Sequence, residues 1–392
     1  MLKKISILGS TGSIGKNVFK IIDTRKKNFK INLLSANQNY ALICKQIKKY
    51  KPKYFIVNNP NVFKKIRYKF RNHSVKIYES FNYRNKSFKS DITISAIPGL
   101  VGLEPTIEMI KLSKKVLIAN KESVICGWNI IKKTAKKNNT IIIPVDSEHF
   151  SILELIKNHK IDEIKKVYLT ASGGPFLNYT HKRLKKVKPK EALNHPKWRM
   201  GKKITVDSST LINKILELIE AEKLFKIPNH KLDILIHPDS LIHAVIEFKN
   251  GLSKMLFHDT SMIIPLANAI FDNKIDINIF YKKKKKNLTD LSNKLIFKKL
   301  DQKIFPIIKI KKRITEYPST PIIINAANEV LVEHFLKKNI PFLDISKIIM
   351  SIMRDRKYRK YAIRIPLNLR EIFLVDEWTR NKIKEIIQKR ND

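Results

Sequence analysis

Short apolar segments alternate with amphipathic segments over the first 150 residues of the chain. The apolar segments have the length and β-branched content of buried strands, and they read INLLSA, YFIVN, DITISAI, KVLIAN and TIIIPVDSEH. The segments between them, such as ALICKQIKKY, carry apolar residues at helical spacing. Because parallel strands need crossover connections, this alternation predicts an α/β fold with a doubly wound, Rossmann-like parallel sheet.

A glycine-rich turn separates the first strand from the first helix, in the sequence ISILGSTGSIGKNVFKII of residues 5 to 22. Its glycines, Gly9, Gly12 and Gly15, lie three residues apart. Such a turn lets backbone N–H groups approach a pyrophosphate, and the helix N-terminus adds partial positive charge. The spacing differs from the usual G-x-G-x-x-G, so the turn alone fits either a phosphate cradle or an ordinary strand-to-helix connection.

The end of the second strand bears on the choice of nucleotide. A domain that selects NAD often carries Asp or Glu there, because a carboxylate binds the ribose hydroxyls. This chain has Asn37, Gln38 and Asn39 instead. With no carboxylate at these positions to repel a 2′-phosphate, the sequence favours NADP over NAD.

The composition is that of a folded multidomain protein from a reducing compartment. Of the 392 residues, 43% are hydrophobic, enough for a large core divided among two or three domains. Cys44 and Cys126 are the only cysteines and give no disulfide framework, so we expect a cytoplasmic location. No apolar run approaches the roughly 20 residues of a membrane span. The first strand begins by residue 5, so we expect neither a membrane partner nor a targeting peptide.

The formal net charge of +45 allows two interpretations. Clustered Lys and Arg would indicate nucleic-acid binding, because they neutralise phosphates. The Lys residues are instead spread along the whole chain together with many Ile and Asn, a mixture that AT-rich codons favour. The run Lys282 to Lys286 indicates a solvated linker more than a nucleic-acid arm, and a nucleic-acid-binding module stays as the competing class.

An apolar strand in IIIPVDSEHF ends at two carboxylates, Asp146 and Glu148. Two positions apart, they would point to one face if the backbone stayed extended. Carboxylate oxygens are hard ligands that suit Mg²⁺ or Mn²⁺. The simpler alternative is that Asp146 caps a helix beginning at Ser151.

The segment VDSSTLINKILELIEAEKLF predicts a helix that starts near Ser208. At helical spacing, Asn213, Lys214 and Glu217 would share one side of this helix. Glu217 would add a third carboxylate for a metal, whereas Ser208, Asn213 and Lys214 near a helix start would suit a phosphate. Lys214 and Glu217 would equally fit an ordinary surface ion pair.

Two loops complete the candidate site. YLTASGGPF runs from a strand into a turn at Ser172, where the backbone and the hydroxyl would hold an anion or form a plain loop. NHPKWRMG places His195, Trp198 and Met200 in a short segment without clear periodicity. Such an aromatic loop is either part of the core or, beside a charged site, a lid.

Eight segments of the chain, taken together, follow the order and approximate spacing of one enzyme family: GSTGSIG, ANKES, PVDSEH, SGGPF, HPKWRMG, VDSSTLINKILE, HPDSLIH and NAANE. Over nearly its whole length the chain resembles the 1-deoxy-D-xylulose 5-phosphate reductoisomerases. The resemblance implies an NADPH-binding domain at 1–150 and an α+β catalytic and dimerisation domain with a flap at 151–271. It further implies a linker at 272–300 and a C-terminal helical domain at 301–392.

The resemblance also implies the residues that bind each ligand. NADPH would be bound by Thr11, Gly12, Ser13, Ile14, Asn37, Gln38, Asn39, Asn120, Glu122 and Gly201. The divalent metal, Mg²⁺ or Mn²⁺, would be bound by Asp146, Glu148 and Glu217. The sugar phosphate would be bound by Lys121, Ser147, Glu148, Ser172, His195, Ser208, Asn213, Lys214 and Glu217, beneath a flap with Trp198 and Met200. The catalytic set would be Lys121, Asp146, Glu148, His195 and Glu217.

The implied activity is metal-dependent isomerisation and NADPH-dependent reduction of 1-deoxy-D-xylulose 5-phosphate to 2-C-methyl-D-erythritol 4-phosphate. This reaction of isoprenoid precursor biosynthesis would be carried out by a homodimeric oxidoreductase with no specific nucleic-acid partner. The family has Gly and a basic residue where this chain has Asn37 and Gln38, which weakens the expected preference for NADPH. It also has Gly at the position of Ile215, and Asp and Arg beside Met262.

A semialdehyde dehydrogenase is a second enzyme class with a similar glycine turn. Such an enzyme needs a nucleophilic Cys in a catalytic loop. Cys126 lies in KESVICGW, an apolar helical stretch in which a buried thiol is expected. The sequence therefore favours the reductoisomerase interpretation.

Overall fold

The computed structural model describes residues 2–81, 88–198, 200–280 and 295–391. The predicted linker run Lys282 to Lys286 lies outside these ranges. The chain forms two compact units. The first comprises Met1–Ser123, Asn129–Phe150 and Ser261–Lys285, and the second comprises Val124–Trp128, Ser151–Thr260 and Lys286–Asp392. The four-part division at residues 150, 271 and 300 stays a prediction.

The described strands form one sheet in each unit. The sheet of the first unit contains β1 Lys3–Leu8, β2 Phe29–Ala36, β3 Tyr54–Val57, β4 Lys76–Tyr78, β5 Ser90–Ser95, β6 Ser113–Ile118 and β7 Ile141–Pro144. The sheet of the second unit contains β8 Ile164–Ala171, β9 Leu232–Ile236, β10 Ile242–Phe248 and β11 Ser253–Phe257.

The described residues also form α-helices in both units. In chain order they are α1 Ser13–Thr24, α2 Tyr40–Tyr50, α3 Pro60–Lys69, α4 Leu103–Ile110, α5 Lys121–Lys137, α6 Ser147–Ile156, α7 His181–Leu184, α8 Pro189–Ala192, α9 Lys202–Thr210, α10 Ile212–Phe225, α11 Ile263–Phe271, α12 Thr320–Leu336, α13 Phe342–Ile352, α14 Tyr358–Ala362 and α15 Leu369–Asn391. Among the described residues, no helix combines the length and the apolar character needed to cross a bilayer.

The sheet of the first unit has the predicted doubly wound, parallel topology. Its strand order is β4-β3-β2-β1-β5-β6-β7, and every neighbouring pair is parallel. The strand order reverses between β1 and β5. Sheets of this kind bind ligands beyond the carboxyl ends of the strands at such a reversal, so the glycine turn after β1 stands at the expected place.

Helices bury both faces of this sheet, which explains why its strands are almost continuously apolar. Ile5 and Ile7 of β1 are fully buried and belong to one core cluster with Val18 and Ile22 of α1. Leu266 of α11 joins the same cluster. The segment after β11 therefore returns to the first unit and completes its core.

The second unit is mixed in both strand direction and secondary structure. Its sheet order is β11-β10-β8-β9, with β8 parallel to β9 and antiparallel to β10, and β10 antiparallel to β11. The long helix α12 is buried along most of its length and packs against α9, α10, α13 and α15. An α+β sheet region and a helical C-terminal region are thus both present, as predicted.

Candidate active site

Two close backbone approaches shape the glycine turn after β1. Gly9 has φ +78°, and a Cβ atom there would lie 2.5 Å from the carbonyl oxygen of Ala96. A Cβ atom at Gly15 would lie 2.4 Å from the carbonyl oxygen of Ser10. Both positions therefore require glycine. No described side chain caps α1, so the first N–H groups of this helix are available to an anion.

Seven of the ten residues predicted to hold NADPH occupy two neighbouring loops at this edge of the sheet. Thr11, Gly12, Ser13 and Ile14 form the turn and the first positions of α1. Asn37 and Gln38 follow β2 and are exposed. Asn39 is exposed too, and its Oδ1 accepts a hydrogen bond from the Leu42 N–H at 3.1 Å, so this side chain caps α2. Asn37 and Gln38 are thus exposed to solvent on the loop beside the turn.

Asn120 fixes the loop after β6 against the loop after β5. Its Oδ1 accepts a hydrogen bond from the Ser123 N–H at 2.8 Å, which caps α5. Its Nδ2 donates to the carbonyl oxygens of Gly99, at 3.0 Å, and of Ile97. The next residue, Lys121, is therefore held at the carboxyl edge of the sheet. Glu122 is buried in the first turn of α5.

Asp146 pairs with Lys121 within the first unit. The Lys121 Nζ lies 3.1 Å from Asp146 Oδ2, and both side chains are largely buried. His149 Nδ1 lies 3.4 Å from Asp146 Oδ1. His149 was not among the predicted site residues, although the segment VDSEHF contains it. The Asp146 carboxylate is thus held by the Lys121 cation on one oxygen, with the His149 ring near the other.

The backbone after β7 is helical, so the prediction of an extended segment at Asp146 and Glu148 was wrong. The helix α6 begins at Ser147, not at Ser151, and Glu148 lies in its first turn. The Glu148 N–H donates to Asp146 Oδ1 at 3.2 Å, as in a helix cap. Ser147 Oγ donates to Glu148 Oε2 at 2.5 Å. Capping and metal binding are compatible, because a carboxylate has further lone pairs for a cation.

The helix predicted to start near Ser208 starts elsewhere. α9 runs from Lys202 to Thr210, and Ser208 lies in its last turn. Leu211 has φ +67°, in the left-handed region, which ends α9 and lets α10 begin at Ile212. The sequence gives no warning of this break, because Leu rarely adopts that conformation. Gly201 stands at the start of α9.

Asn213, Lys214 and Glu217 do share one side of a helix, as predicted. The Lys214 Nζ lies 2.6 Å from Glu217 Oε2, and Asn213 Nδ2 donates to Glu217 Oε1. Lys214 is 7% exposed and Glu217 is 1% exposed. An ordinary surface ion pair is therefore the wrong description. Two buried charges that are hydrogen-bonded to each other are costly to keep and are typical of a functional site.

His195 connects the two serines that were predicted to bind phosphate. Its Nε2 lies 3.1 Å from Ser172 Oγ and 3.1 Å from Ser208 Oγ. Its Nδ1 accepts the N–H groups of Trp198, at 2.9 Å, and of Lys197, at 3.2 Å. Because Nδ1 accepts, we assign the proton of the neutral ring to Nε2.

The environment of His195 keeps this ring neutral. Burial lowers its pKa from 6.5 to about 4, and the nearby Lys214 cation contributes to the same shift. At neutral pH the Nε2–H therefore donates to the serine oxygens. The hydroxyl hydrogens of Ser172 and Ser208 are then left for another acceptor.

The turn after β8 packs directly against the end of α9. Gly173 and Gly174 have φ of +81° and +62°, and the Gly174 N–H donates to Ser172 Oγ at 3.0 Å. A Cβ atom at Gly174 would lie 3.1 Å from the carbonyl oxygen of Ser208. This close approach brings Ser172 and Ser208 together although they are far apart in the sequence.

The predicted flap residue Trp198 rests on a pair of stacked histidines. The Trp198 ring meets the His243 ring edge to face, with centroids 6.1 Å apart. His243 in turn stacks on His258, with centroids 3.8 Å apart and planes 16° apart. Both histidines are buried. Neither histidine was among the predicted site residues, although the motif HPDSLIH contains His243.

Three family models match the chain. The model described as 1-deoxy-D-xylulose 5-phosphate reductoisomerase matches residues 5–127. Two models of the C-terminal domain of the same enzyme match residues 142–225 and 258–382. The chain belongs to the 1-deoxy-D-xylulose 5-phosphate reductoisomerase family.

Members of this family match the chain over nearly its full length, both in sequence and in solved structures. A 1-deoxy-D-xylulose 5-phosphate reductoisomerase of Pelagibacter ubique (strain HTCC1062) is 45% identical over 98% of this chain and 100% of its own. The Zymomonas mobilis enzyme in complex with NADPH is 29% identical, with a TM-score of 0.87 over 99% of both chains. A reductoisomerase in complex with NADPH, fosmidomycin and magnesium is 29% identical, with a TM-score of 0.89 over 99% of this chain and 98% of that one.

Family membership confirms the predicted resemblance, the fold class and the class of enzyme. The thiol prediction also agrees with the structure, because Cys126 is buried in α5 and does not lie in a catalytic loop. The roles of individual site residues stay predictions.

Proposed function

We propose that this chain is an NADPH-dependent oxidoreductase that converts 1-deoxy-D-xylulose 5-phosphate to 2-C-methyl-D-erythritol 4-phosphate for isoprenoid precursor synthesis. The observation that carries the proposal is full-length membership of the family, at 45% identity to a curated relative. The buried Lys214–Glu217 pair and the serine pair around His195 support it, because a sugar phosphate and a divalent cation need groups of this chemistry.

The substrate phosphate binds to Ser172, Ser208, Asn213 and Lys214 in this proposal. His195 prepares the two hydroxyls, because its Nε2–H donates to the serine oxygens and leaves their O–H groups to donate to phosphate. Lys214 supplies the formal charge, and its burial strengthens attraction to an anion. These groups fix the non-reacting end of the substrate and so orient its carbon skeleton.

Asp146, Glu148 and Glu217 are the proposed ligands of the divalent cation, Mg²⁺ or Mn²⁺. Carboxylate oxygens fit either ion, and Lys121 and Asn213 already hold two of these side chains in defined orientations. When bound, the cation supplies positive charge at the carbonyl and hydroxyl oxygens of the substrate. Lys121 orients the Asp146 carboxylate and adds a second positive charge beside it.

The NADPH ligands are proposed to be Thr11, Gly12, Ser13, Ile14, Asn37, Gln38, Asn39, Asn120, Glu122 and Gly201. The uncapped start of α1 fits the pyrophosphate. NADPH supplies the hydride, and the chain's own residues hold it in place. Ser147, Glu148 and His195 contact the sugar, and the segment with Trp198 and Met200 excludes water when it covers the substrate.

A homodimer, a cytoplasmic location and the four-part domain division are further parts of the proposal. The edge strand β11 supports self-association through the second unit, because it exposes Met255 beside an exposed Leu252. Cys44 and Cys126 are buried and form no disulfide with each other, which fits a reducing compartment.

The direct test measures NADPH oxidation with the sugar phosphate and Mg²⁺ or Mn²⁺. We expect turnover that disappears on chelation and in Glu217→Gln. Glu222→Gln is the matched control, because Glu222 lies on the same helix and hydrogen-bonds to Thr315 at 3.0 Å. Full turnover of metal-free protein, or of Glu217→Gln, would contradict the assignment of this carboxylate to the metal.

A further inference from the structure

A buried polar contact joins the end of α9 to the middle of α12. Asp207 precedes the proposed phosphate ligand Ser208 and is 1% exposed. The Asn328 Nδ2 donates to Asp207 Oδ1 at 2.8 Å, and Asn328 is 0% exposed. The Lys203 Nζ lies 2.8 Å from Asp207 Oδ2. Each oxygen of this carboxylate therefore has its own donor.

The contact holds α9 at a second point, beside the residue at which the Gly174 turn packs. The Ser208 carbonyl lies so near Gly174 that a Cβ atom there would be 3.1 Å away. Asn328 donates a hydrogen bond to Asp207, the residue immediately before Ser208. Movement of this turn of α9 must therefore break a hydrogen bond to a buried carboxylate or collide with the turn that carries Ser172.

The helix that carries Asn328 is itself anchored by charged groups. The next residue, Glu329, accepts a hydrogen bond from Arg380 of α15. Arg380 Nε also donates to Asp376 Oδ2 at 2.6 Å. Polar contacts at two successive residues thus tie α12 to its neighbours, at Glu329 to α15 and at Asn328 to α9, all within the second unit.

We propose that Asp207 and Asn328 are positioning residues that hold the Ser208 hydroxyl in place for the substrate phosphate. A buried carboxylate contributes little net stability, because its desolvation offsets the attraction of its partners. Such a pair does, however, hold the backbone that carries Ser208 in one defined orientation. The inference rests on the proposed function, since it assigns a purpose to the placement of a phosphate ligand.

Asn328→Ala tests the proposal, with Asn325→Ala as its matched control. Asn325 is a buried asparagine on the same helix, but its Nδ2 donates to Glu329 within α12 and not to α9. We expect Asn328→Ala to raise the KM for the sugar phosphate about tenfold, equal to about 1.4 kcal/mol. The Ki of inorganic phosphate should rise by a similar factor. The KM for NADPH should change less than about twofold, as should all three constants in Asn325→Ala.

An exchange of the two side chains provides a second test, which also applies if Asn328→Ala fails to fold. Asn328→Asp alone places two carboxylates face to face and should raise the KM for the sugar phosphate. Combined with Asp207→Asn, it restores one donor and one acceptor, so the KM should return towards the wild-type value. If the KM of the double variant stayed as high as that of Asn328→Asp, the proposal would be overturned.

Inorganic phosphate separates this inference from the proposed function. Calorimetry measures phosphate binding without any turnover. The difference in binding between the wild type and Lys214→Ala is the phosphate bound at the proposed site. If Asn328→Ala loses this phosphate binding and Asn325→Ala keeps it, the result supports positioning of Ser208 by Asn328, even if no NADPH is oxidised. Equal phosphate binding by the two asparagine variants, with both folded, would show a merely structural role and overturn the inference.

Discussion

The His195 ring gives the sharpest test of the site's electrostatics. We expect it to stay neutral at any pH above about 4, because burial and the Lys214 cation lower its pKa from 6.5 to about 4. The perturbation is a pH titration of the wild type beside His195→Gln. Glutamine keeps an N–H donor near the position of Nε2, and it removes the ionisation.

The size of the effect follows from the pKa shift. Each pKa unit corresponds to about 1.36 kcal/mol, so the change from 6.5 to about 4 would equal about 3.4 kcal/mol in a fully enclosed site. His195 is partly exposed, and solvent screening reduces the expected contribution to about 1.5 kcal/mol.

The sign of the pH dependence follows from the neutral folded form. Above pH 6.5 the ring is neutral in both folded and unfolded chains, and the contribution to stability is fully present. As the pH falls from 6.5 towards 4, the His195 ring binds a proton in the unfolded chain but not in the folded chain, so stability is lost.

Histidine resonances in two-dimensional NMR spectra measure the pKa directly. The signal absent from His195→Gln identifies the residue. When the pH is lowered from about 7 to about 4.5, the urea unfolding midpoint should fall more for the wild type than for the variant. A measured pKa within one unit of 6.5, or equal pH dependence of the two proteins, would refute this account of the site.

Three further predictions concern the cofactor, the flap and the charge. Gln38→Arg should lower the KM for NADPH about two- to fivefold by pairing with the 2′-phosphate, and an unchanged KM in steady-state assays would mean that this group is bound elsewhere. Trp198→Ala should leave NADPH binding and thermal stability nearly intact while turnover falls at least about tenfold, whereas a variant that fails to fold would identify Trp198 as a core residue. Raising salt from about 50 to 200 mM should abolish retention on DNA but change the KM for the sugar phosphate far less, and Lys214→Ala should raise that KM and leave DNA retention unchanged. Sequence-selective DNA binding that survives the higher salt, without NADPH oxidation, would favour the nucleic-acid module.

The first sheet could be predicted from the sequence because its signals are local. Each parallel strand is buried on both faces, so its sequence is an apolar run. Each crossover helix has apolar residues that recur at helical spacing. The glycine turn is also local, and the structure explains two of its glycines by backbone contacts at Ala96 and Ser10. Family motifs extended the prediction to the second unit, where periodicity alone was weak.

Other features of the site depend on contacts that no local pattern encodes. Leu211 adopts φ +67° within a segment that reads as one continuous helix, so the break between α9 and α10 was not predicted. An extended backbone at Asp146 and Glu148 was one of two alternatives, because the segment TIIIPVDSEH resembles a strand throughout, whereas β7 ends at Pro144 and α6 begins at Ser147. The contact of Asn328 with Asp207 joins residues 121 positions apart, and only the packing of α12 on α9 reveals it.

The excess of basic residues does not itself explain how a phosphate would be selected. Of the four proposed phosphate ligands, Ser172, Ser208 and Asn213 are neutral, and only Lys214 carries a formal charge. That lysine is 7% exposed, whereas most of the Lys and Arg side chains that the structure describes are more exposed than this. Surface cations attract any polyanion weakly, and salt screens them. One buried cation with prepared hydroxyl donors acts at low dielectric and in a fixed geometry, so it can select a single phosphate against a background charge of +45.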